Sequence, residues 1–302
     1  MIRMSRPQDS LHMAIIICDV AAVDALLARG ADANAKDEDG NAPLHIWASL
    51  GGTLIAIHEM LIARGANVNA RNNAGETPLH RAIRTQHFTF ARNLIARGAD
   101  VSAKDNFGIT PLHLAIPDCC EDLLIDLLAR GADVNAADRD GNAPLHMANF
   151  STTEIVKTLV SRGADVNAKN KTGETPLQFA IIHHREPIAE ALILCGADIF
   201  TSDVFGRTSL LFAVNSCMSR IAHMLIERGA DVNAKDYGGR SLLHLAIPGG
   251  DLHLVQALIA RGVDIDASDG VGWTPLDVAI RECHPAIAEA LIARGAKVSG
   301  MD

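Results

Sequence analysis

Six histidines, His12, His45, His80, His113, His146 and His244, occupy one recurring slot in a chain of 302 residues. A row of imidazoles suggests metal or proton chemistry. The spacing argues otherwise, because the first five are separated by 33, 35, 33 and 33 residues. One slot per folded unit sets neighbouring rings about 10 Å apart, too far to share an ion. The expected role is a structural hydrogen bond from each ring to nearby backbone. No other reactive set emerges. "HEMLI" at His58–Ile62 opens like a zinc-protease helix but lacks the second histidine. A phosphate-binding G-x-x-x-x-G-K-[ST] loop and a dinucleotide glycine fingerprint are both missing, so no cofactor is expected. Cys18, Cys119, Cys217 and Cys283 share a second slot, with Cys120 and Cys195 outside it. They form no C-x-x-C pair. Unpaired thiols acting as small buried hydrophobes in a reducing, cytoplasmic compartment are expected.

The elements that carry these residues repeat. A proline slot falls at Ser10, Pro43, Pro78, Pro111, Pro144, Pro176, Ser209, Leu242 and Pro275. A glycine marker falls at Gly30, Gly65, Gly98, Gly131, Gly163, Gly196, Gly229, Gly262 and Gly295. Both keep a period of 33, with two residues added in Ser49–Thr53 and one lost near Phe150–Thr153. In "TPLH" the threonine suits a helix N-cap and the proline a first helical position that needs no donor. A polar or glycine-containing turn and a second amphipathic helix follow, as in "IVKTLVSRG" (Ile155–Gly163), whose glycine suits a left-handed C-terminal cap. "ADVNAKD" then reads as a short extended finger ending in a turn. Ala42 and Ala143 replace the capping threonine at about 1 kcal/mol each.

"GETPLHRA" (Gly75–Ala82), "GITPLHLA" (Gly108–Ala115) and "ARGADVNA" (Ala129–Ala136) resemble the ankyrin repeat. The resemblance covers a single domain, about 5–298, in nine repeats at about 5–36, 37–71, 72–104, 105–137, 138–169, 170–202, 203–235, 236–268 and 269–298. It implies an all-α solenoid of stacked helix pairs with β-hairpin-like fingers, a curved elongated rod on the order of 80 Å long at helix spacings of roughly 8–10 Å. It also implies a protein partner engaged by finger tips and the concave face of the first helices.

Composition agrees. The chain is 48% hydrophobic but only 4% aromatic, which suits helices with regular breaks. Its net charge of −9 does not favour a nucleic-acid partner, and no apolar run is long enough to span a membrane. "HMAIIICD" in the first repeat and "AIAEALIARGAKV" in the last are apolar for ends of an array. A fragment of a longer chain, or ends that pack against another molecule, would account for this. A monomer is expected, with end-to-end self-association as the alternative.

Function is expected where copies differ. The finger residues are Glu38, Asp39 and Asn41; Asn73, Ala74 and Glu76; Asn106, Phe107 and Ile109; Arg139, Asp140 and Asn142; Lys171, Thr172 and Glu174. The last three fingers change character, to Val204, Phe205 and Arg207, then Tyr237 and Arg240, then Val271 and Trp273. Aromatics with arginines are the chemistry of interface hot spots. The partner-binding patch is therefore assigned to Phe205, Arg207, Tyr237, Arg240, Val271 and Trp273, with Phe107 and Ile109 in the fourth repeat. The alternative is that the rings lie flat on neighbouring fingers and cover backbone. Trp47 is read as local repacking. The leading function is a non-enzymatic protein-binding scaffold. A regulatory subunit or inhibitor of an enzyme, or the targeting module of a longer, pathogen-effector-like chain, is the alternative.

Overall fold

Threonine hydroxyls start the first helices as the sequence requires. Thr77, Thr110, Thr175, Thr208 and Thr274 each accept the N–H of the third residue of the following helix. Ala42 and Ala143 make no such bond. The computed structural model describes residues 7–51, 55–117 and 120–297. Within them eighteen α-helices follow in sequence, two to each repeat: α1 (Pro7–Ile16) and α2 (Val20–Ala28); α3 (Pro43–Ser49) and α4 (Ile55–Ala63); α5 (Pro78–Arg84) and α6 (Phe88–Ala96); α7 (Pro111–Ala115) and α8 (Glu121–Ala129); α9 (Pro144–Met147) and α10 (Thr153–Ser161); α11 (Pro176–Ile182) and α12 (Glu186–Leu194); α13 (Ser209–Asn215) and α14 (Ser219–Glu227); α15 (Leu242–Ala246) and α16 (Leu252–Ala260); α17 (Pro275–Arg281) and α18 (Pro285–Ala293). α1 begins at Pro7, three residues before the expected Ser10 slot. Cys119, and Gly52 and Thr53 of the segment that holds the two-residue insertion, lie outside the described residues.

Contacts group the chain into two units, Met1–Ser151 with Arg162–Ala164, and Thr152–Ser161 with Asp165–Asp302. In the first, α1, α3, α5, α7 and α9 pack in succession, α2 lies on α4, and α6 lies on α8. In the second, α11, α13, α15 and α17 form one row and α10, α12, α14, α16 and α18 the other. One leucine slot supplies the floor of each row: Leu44, Leu79 and Leu112 in the first unit, Leu177, Leu210, Leu243 and Leu276 in the second, all inaccessible to solvent. Leu127 and Leu159 are equally buried. Trp47 and Ala48 stand where the next repeat has Ala82 and Ile83, so a large–small pair is exchanged inside a filled layer. The Trp47 ring is buried, and its Nε1 finds no hydrogen-bond partner among the described residues.

Each finger is an Asx-type turn rather than a regular strand pair. In the fourth repeat the Asp105 Oδ1 accepts the N–H groups of Phe107 and Ile109, and Asp105 N–H bonds the Ile109 carbonyl. Gly108 closes the turn at φ 78°. A Cβ there would lie 2.9 Å from the Arg139 backbone nitrogen, because successive fingertips within the unit touch through backbone. Arg139 N–H indeed bonds the Phe107 carbonyl at 2.8 Å. Among the described residues the expected hairpin character reduces to two isolated bridges, Ser202 with Thr208 and Lys235 with Ser241.

The cysteines correct the sequence reading. Cys18, Cys217 and Cys283 are exposed, not buried, and Cys120 and Cys195 are partly accessible. Cys18, Cys217 and Cys283 sit at left-handed φ of 54–58° in the turn between paired helices, a position that projects outward and holds Gly250 in the eighth repeat. His184 takes the same conformation in the sixth repeat.

Candidate interaction surface

His45, His80, His113 and His244 are clamps between successive repeats, whereas His12 bonds within its own. At the third helical position each Nδ1 accepts the N–H of its cap residue, from Ala42, Thr77, Thr110, Ala143 and Ser241, at 3.0–3.2 Å. The Nε2–H of His12, His45, His80, His113 and His244 donates to the carbonyl of Ala35, Glu76, Ile109, Asn142 and Trp273 respectively, at 2.8–3.1 Å. For these rings with both bonds, the acceptor and the donor are spent on backbone, which fixes a neutral tautomer and leaves no lone pair for a metal. Burial is the main cause that pushes His45, His80 and His113 below their ordinary value, against the pull of the carbonyl bonds. Gln178 performs both tasks in the sixth repeat through its amide, reaching the Arg207 carbonyl at 3.2 Å. Asp277 keeps the cap contact, with Thr274 N–H at 2.7 Å, and a carboxylate has no proton for a next finger.

The finger slot immediately before the cap is less exposed than the sequence suggests. Glu76, expected on the surface, is buried; Arg84 Nε reaches its Oε1 at 2.9 Å and Asn72 its Oε2 at 3.2 Å. Ile109, Arg207 and Trp273 share this slot and are half-buried. The slot faces the first helices, whereas the turn residues before it face solvent. There Val204 and Phe205 are 63% and 61% exposed, Tyr237 96% and Val271 79%. Phe107 is exposed too, with the Arg139 guanidinium 5.9 Å from its ring centre. These side chains are exposed at the finger tips.

The two finger arginines are paired. Arg207 Nε and Nη2 reach the fully buried Asp203 carboxylate at 2.7 and 2.6 Å, and Glu174 lies 3.7 Å away. Its guanidinium lies 5.0 Å from the Phe205 ring centre and 4.6 Å from that of Phe212. Arg240 bonds the Asp236 Oδ2 through Nε and Nη2, both at 2.7 Å. In the ninth repeat the arginine moves to α17, where Arg281 lies 4.4 Å from the Trp273 ring centre.

Two cavities open between these fingers and the first helices. One, of about 160 Å³, lies between Arg207, Phe212, Asn215, Asp236, Arg240 and Leu245. The other, of about 400 Å³, lies between Arg240, Asp269, Val271, Trp273, Val278 and Arg281. Arg240 belongs to both. For Asp269, burial alone would raise the carboxyl, but the backbone N–H groups of Trp273 and Val271 outweigh it and keep it low. Of the sequence-assigned patch, Arg207, Arg240, Val271 and Trp273 thus line cavities, Phe205 and Tyr237 stand at the tips, and Phe107 and Ile109 belong to the other unit. Sequence reasoning missed Phe212, Asn215 and Arg281 because it followed the fingers alone. Departures from "TPLHLA" in "TSLLFAVN" and "TPLDVAIR" were the available signal.

A clamp of this kind, repeated along successive helices with projecting turns, defines a tandem-repeat protein. A family model described as ankyrin repeats, in three copies, matches residues 11–105, 93–170, 148–236 and 210–302. The chain belongs to the ankyrin-repeat family, whose members are in general protein–protein interaction modules. No curated protein sequence matches it significantly. No helix of the described residues is long and apolar enough to cross a membrane.

Proposed function

We propose that this chain is a non-enzymatic scaffold that captures a protein partner through repeats seven to nine, using the tips Phe205, Tyr237 and Val271 with the groove residues Arg207, Arg240 and Trp273. One observation carries the reading: large apolar side chains stand 61–96% exposed on three successive fingers of one unit. Exposed aromatic groups next to arginines are enriched where proteins bind. A cytoplasmic setting belongs to the same proposal and rests on exposed thiols scattered over separate repeats.

The test uses the tips, not the arginines. Charge reversal at Arg207 would set a second carboxylate against the buried Asp203 and unfold the repeat for unrelated reasons. Phe205→Ser with Tyr237→Ser touches no buried group. Crosslinking with mass spectrometry in native lysate should place partner links on repeats seven to nine, and the double variant should lose them at an unchanged melting temperature. Links that persist in the variant, or turnover of a small molecule by the isolated chain, would overturn the proposal.

A further inference from the structure

Each finger, taken from a helix-closing glycine to the next helix cap, is tied to the finger that follows by four recurring bonds. In the stalk an asparagine accepts a backbone N–H of the next stalk: Asn34 from Asn67 and Asn167 from Asp198, both at 2.7 Å. Two residues on, a lysine donates to the next stalk's carbonyl, as Lys36 does to Arg71 at 2.8 Å and Lys169 to Ser202 at 3.1 Å. At the tip a backbone N–H meets the preceding tip's carbonyl, as Val204 does with Thr172 at 3.0 Å and Gly270 with Gly238 at 2.9 Å. The histidine or glutamine clamp is the fourth.

Between the seventh finger (196–208) and the eighth (229–241) none of the four is made among the described residues. Phe200 fills the asparagine slot and Ser202 the lysine slot. A phenyl ring has no polar atom, and a serine hydroxyl lacks a lysine's reach. Leu211 fills the clamp slot, so the Arg240 carbonyl receives no side-chain N–H from it. The Tyr237 N–H makes no bond to the Phe205 carbonyl. Every other junction that lies within one unit and joins two described fingers keeps at least three of these ties. The spacing opens accordingly. A Cβ on Gly75, Gly108, Gly173 or Gly239 would lie within 3.2 Å of the next finger, whereas one on Gly206 would meet nothing within 4 Å. The seventh and eighth fingers instead close on themselves, through the Ser202–Thr208 and Lys235–Ser241 bridges. The cavity of about 160 Å³ lies at this junction, with Leu211 and Phe212 on one side and Arg240 and Leu245 on the other.

The helices behind these fingers stay joined. α13 packs on α15, and α14 on α16. α14 is held near both ends: Ser219 bonds the Asp251 carboxylate, and the Ile226 carbonyl accepts Arg261 Nη1 at 2.7 Å. We infer that this junction is a hinge. Repeats eight and nine swing on the α14–α16 contact, parting the two fingers, and a partner that bridges Phe205 and Tyr237 draws them together. The inference rests on the proposed capture at these tips and adds its control. Stability in a repeat array is a sum over neighbouring interfaces, so motion concentrates at the weakest. Apolar packing is non-directional and tolerates tilt, whereas hydrogen bonds fix distance and angle. A site that must close on binding loses apparent affinity in proportion to its open fraction, and ties made in advance restore it.

The test measures distance distributions by double electron–electron resonance, in the full chain. Spin labels are carried on p-acetylphenylalanine, which leaves the native thiols in place. One pair replaces Phe205 and Val271, across the hinge. The other replaces Ala74 and Asp140, at the same tip slot and the same sequence separation in the first unit. The hinge pair should give a distribution at least twice as broad. Phe200→Asn with Ser202→Lys should narrow it, and Leu211→His should narrow it further. Phe200 is 66% exposed, so the two-site variant keeps the test independent of the buried leucine. Without labels, the restored variant should give severalfold more partner links on repeats seven to nine in native lysate. Equal widths for the two pairs, or a hinge width that the restored ties leave unchanged, would overturn the hinge. An unchanged or reduced link yield would overturn its closure by the partner. Absence of links from the parent chain as well would sink the scaffold reading and leave the comparison of widths in force.

Discussion

The third finger and the eighth are built on the same turn, yet the slot before their helix cap carries opposite charge. In the third repeat it is an acid, Glu76, drawn inside and held by Arg84 of α5. In the eighth it is a cation, Arg240, held by Asp236 of its own finger. The side chain of Glu76 is 8% exposed and that of Arg240 is 52% exposed. Side-chain length explains the contrast. A glutamate in this slot must bury its charge, which costs desolvation unless cations and amides surround it. An arginine lays its stem on the apolar floor and keeps its head in water. The fold requires only that a charge in the slot be neutralised, so its sign is free to differ between repeats. In repeats seven to nine that freedom leaves guanidinium groups on a groove.

Leucine deletion tests whether the two units are energetically separate. Leu127→Ala in the first unit and Leu225→Ala in the second should each cost about 2–5 kcal/mol, both leucines being fully buried. In urea, each substitution should shift the transition reported by its own unit. A single transition moved equally by both would erase the distinction. The charge contrast comes next. Arg84→Ala should cost about 2 kcal/mol, because Glu76 is left buried with poorer partners. Arg240→Ala should cost less than about 1 kcal/mol, as exposed pairs do. Equal losses would refute the explanation from burial.

The clamps give a smaller, pH-dependent effect. His80→Ala orphans the Thr77 N–H and the Ile109 carbonyl and should cost about 1–3 kcal/mol. His80→Gln should recover most of it, since Gln178 performs the same double contact. His45, His80 and His113 have values lowered on folding, so the unfolded chain binds more protons. Their contribution is complete above the ordinary value of 6.5 and is lost as pH falls below it. All three lie in the first unit, so its transition in urea should weaken more between pH 7 and pH 5 than that of the second. His80→Gln should flatten that slope. The smallest effect is local: Cys283→Gly should stabilise by about 0.5–1 kcal/mol by relieving a left-handed conformation at φ 58°.

Most of the fold was legible because a helix pair with one apolar face has one stable answer, stacking on its neighbour. Thr-Pro, the clamp histidine and the terminal glycine each report a backbone need satisfied within a few residues. Trp47 was legible as repacking for the same reason. The cysteines were not, because composition places a thiol in a core while a left-handed turn places it outside. Glu76 was misjudged as surface because its partner Arg84 is eight residues on, across a turn that the linear pattern does not fold. Phe205 and Tyr237 were found from sequence as departures at a tip.

By itself, the sequence determined the period, the caps, the turns and the buried leucine slots, because each depends on interactions within one repeat or with the next copy of the same motif. Tertiary structure alone decided which polar residues are neutralised, where Arg281 and Asn215 meet the fingers, and that Arg240 joins two cavities. Those outcomes depend on side chains from separate repeats converging in space, at distances that a one-dimensional pattern does not encode.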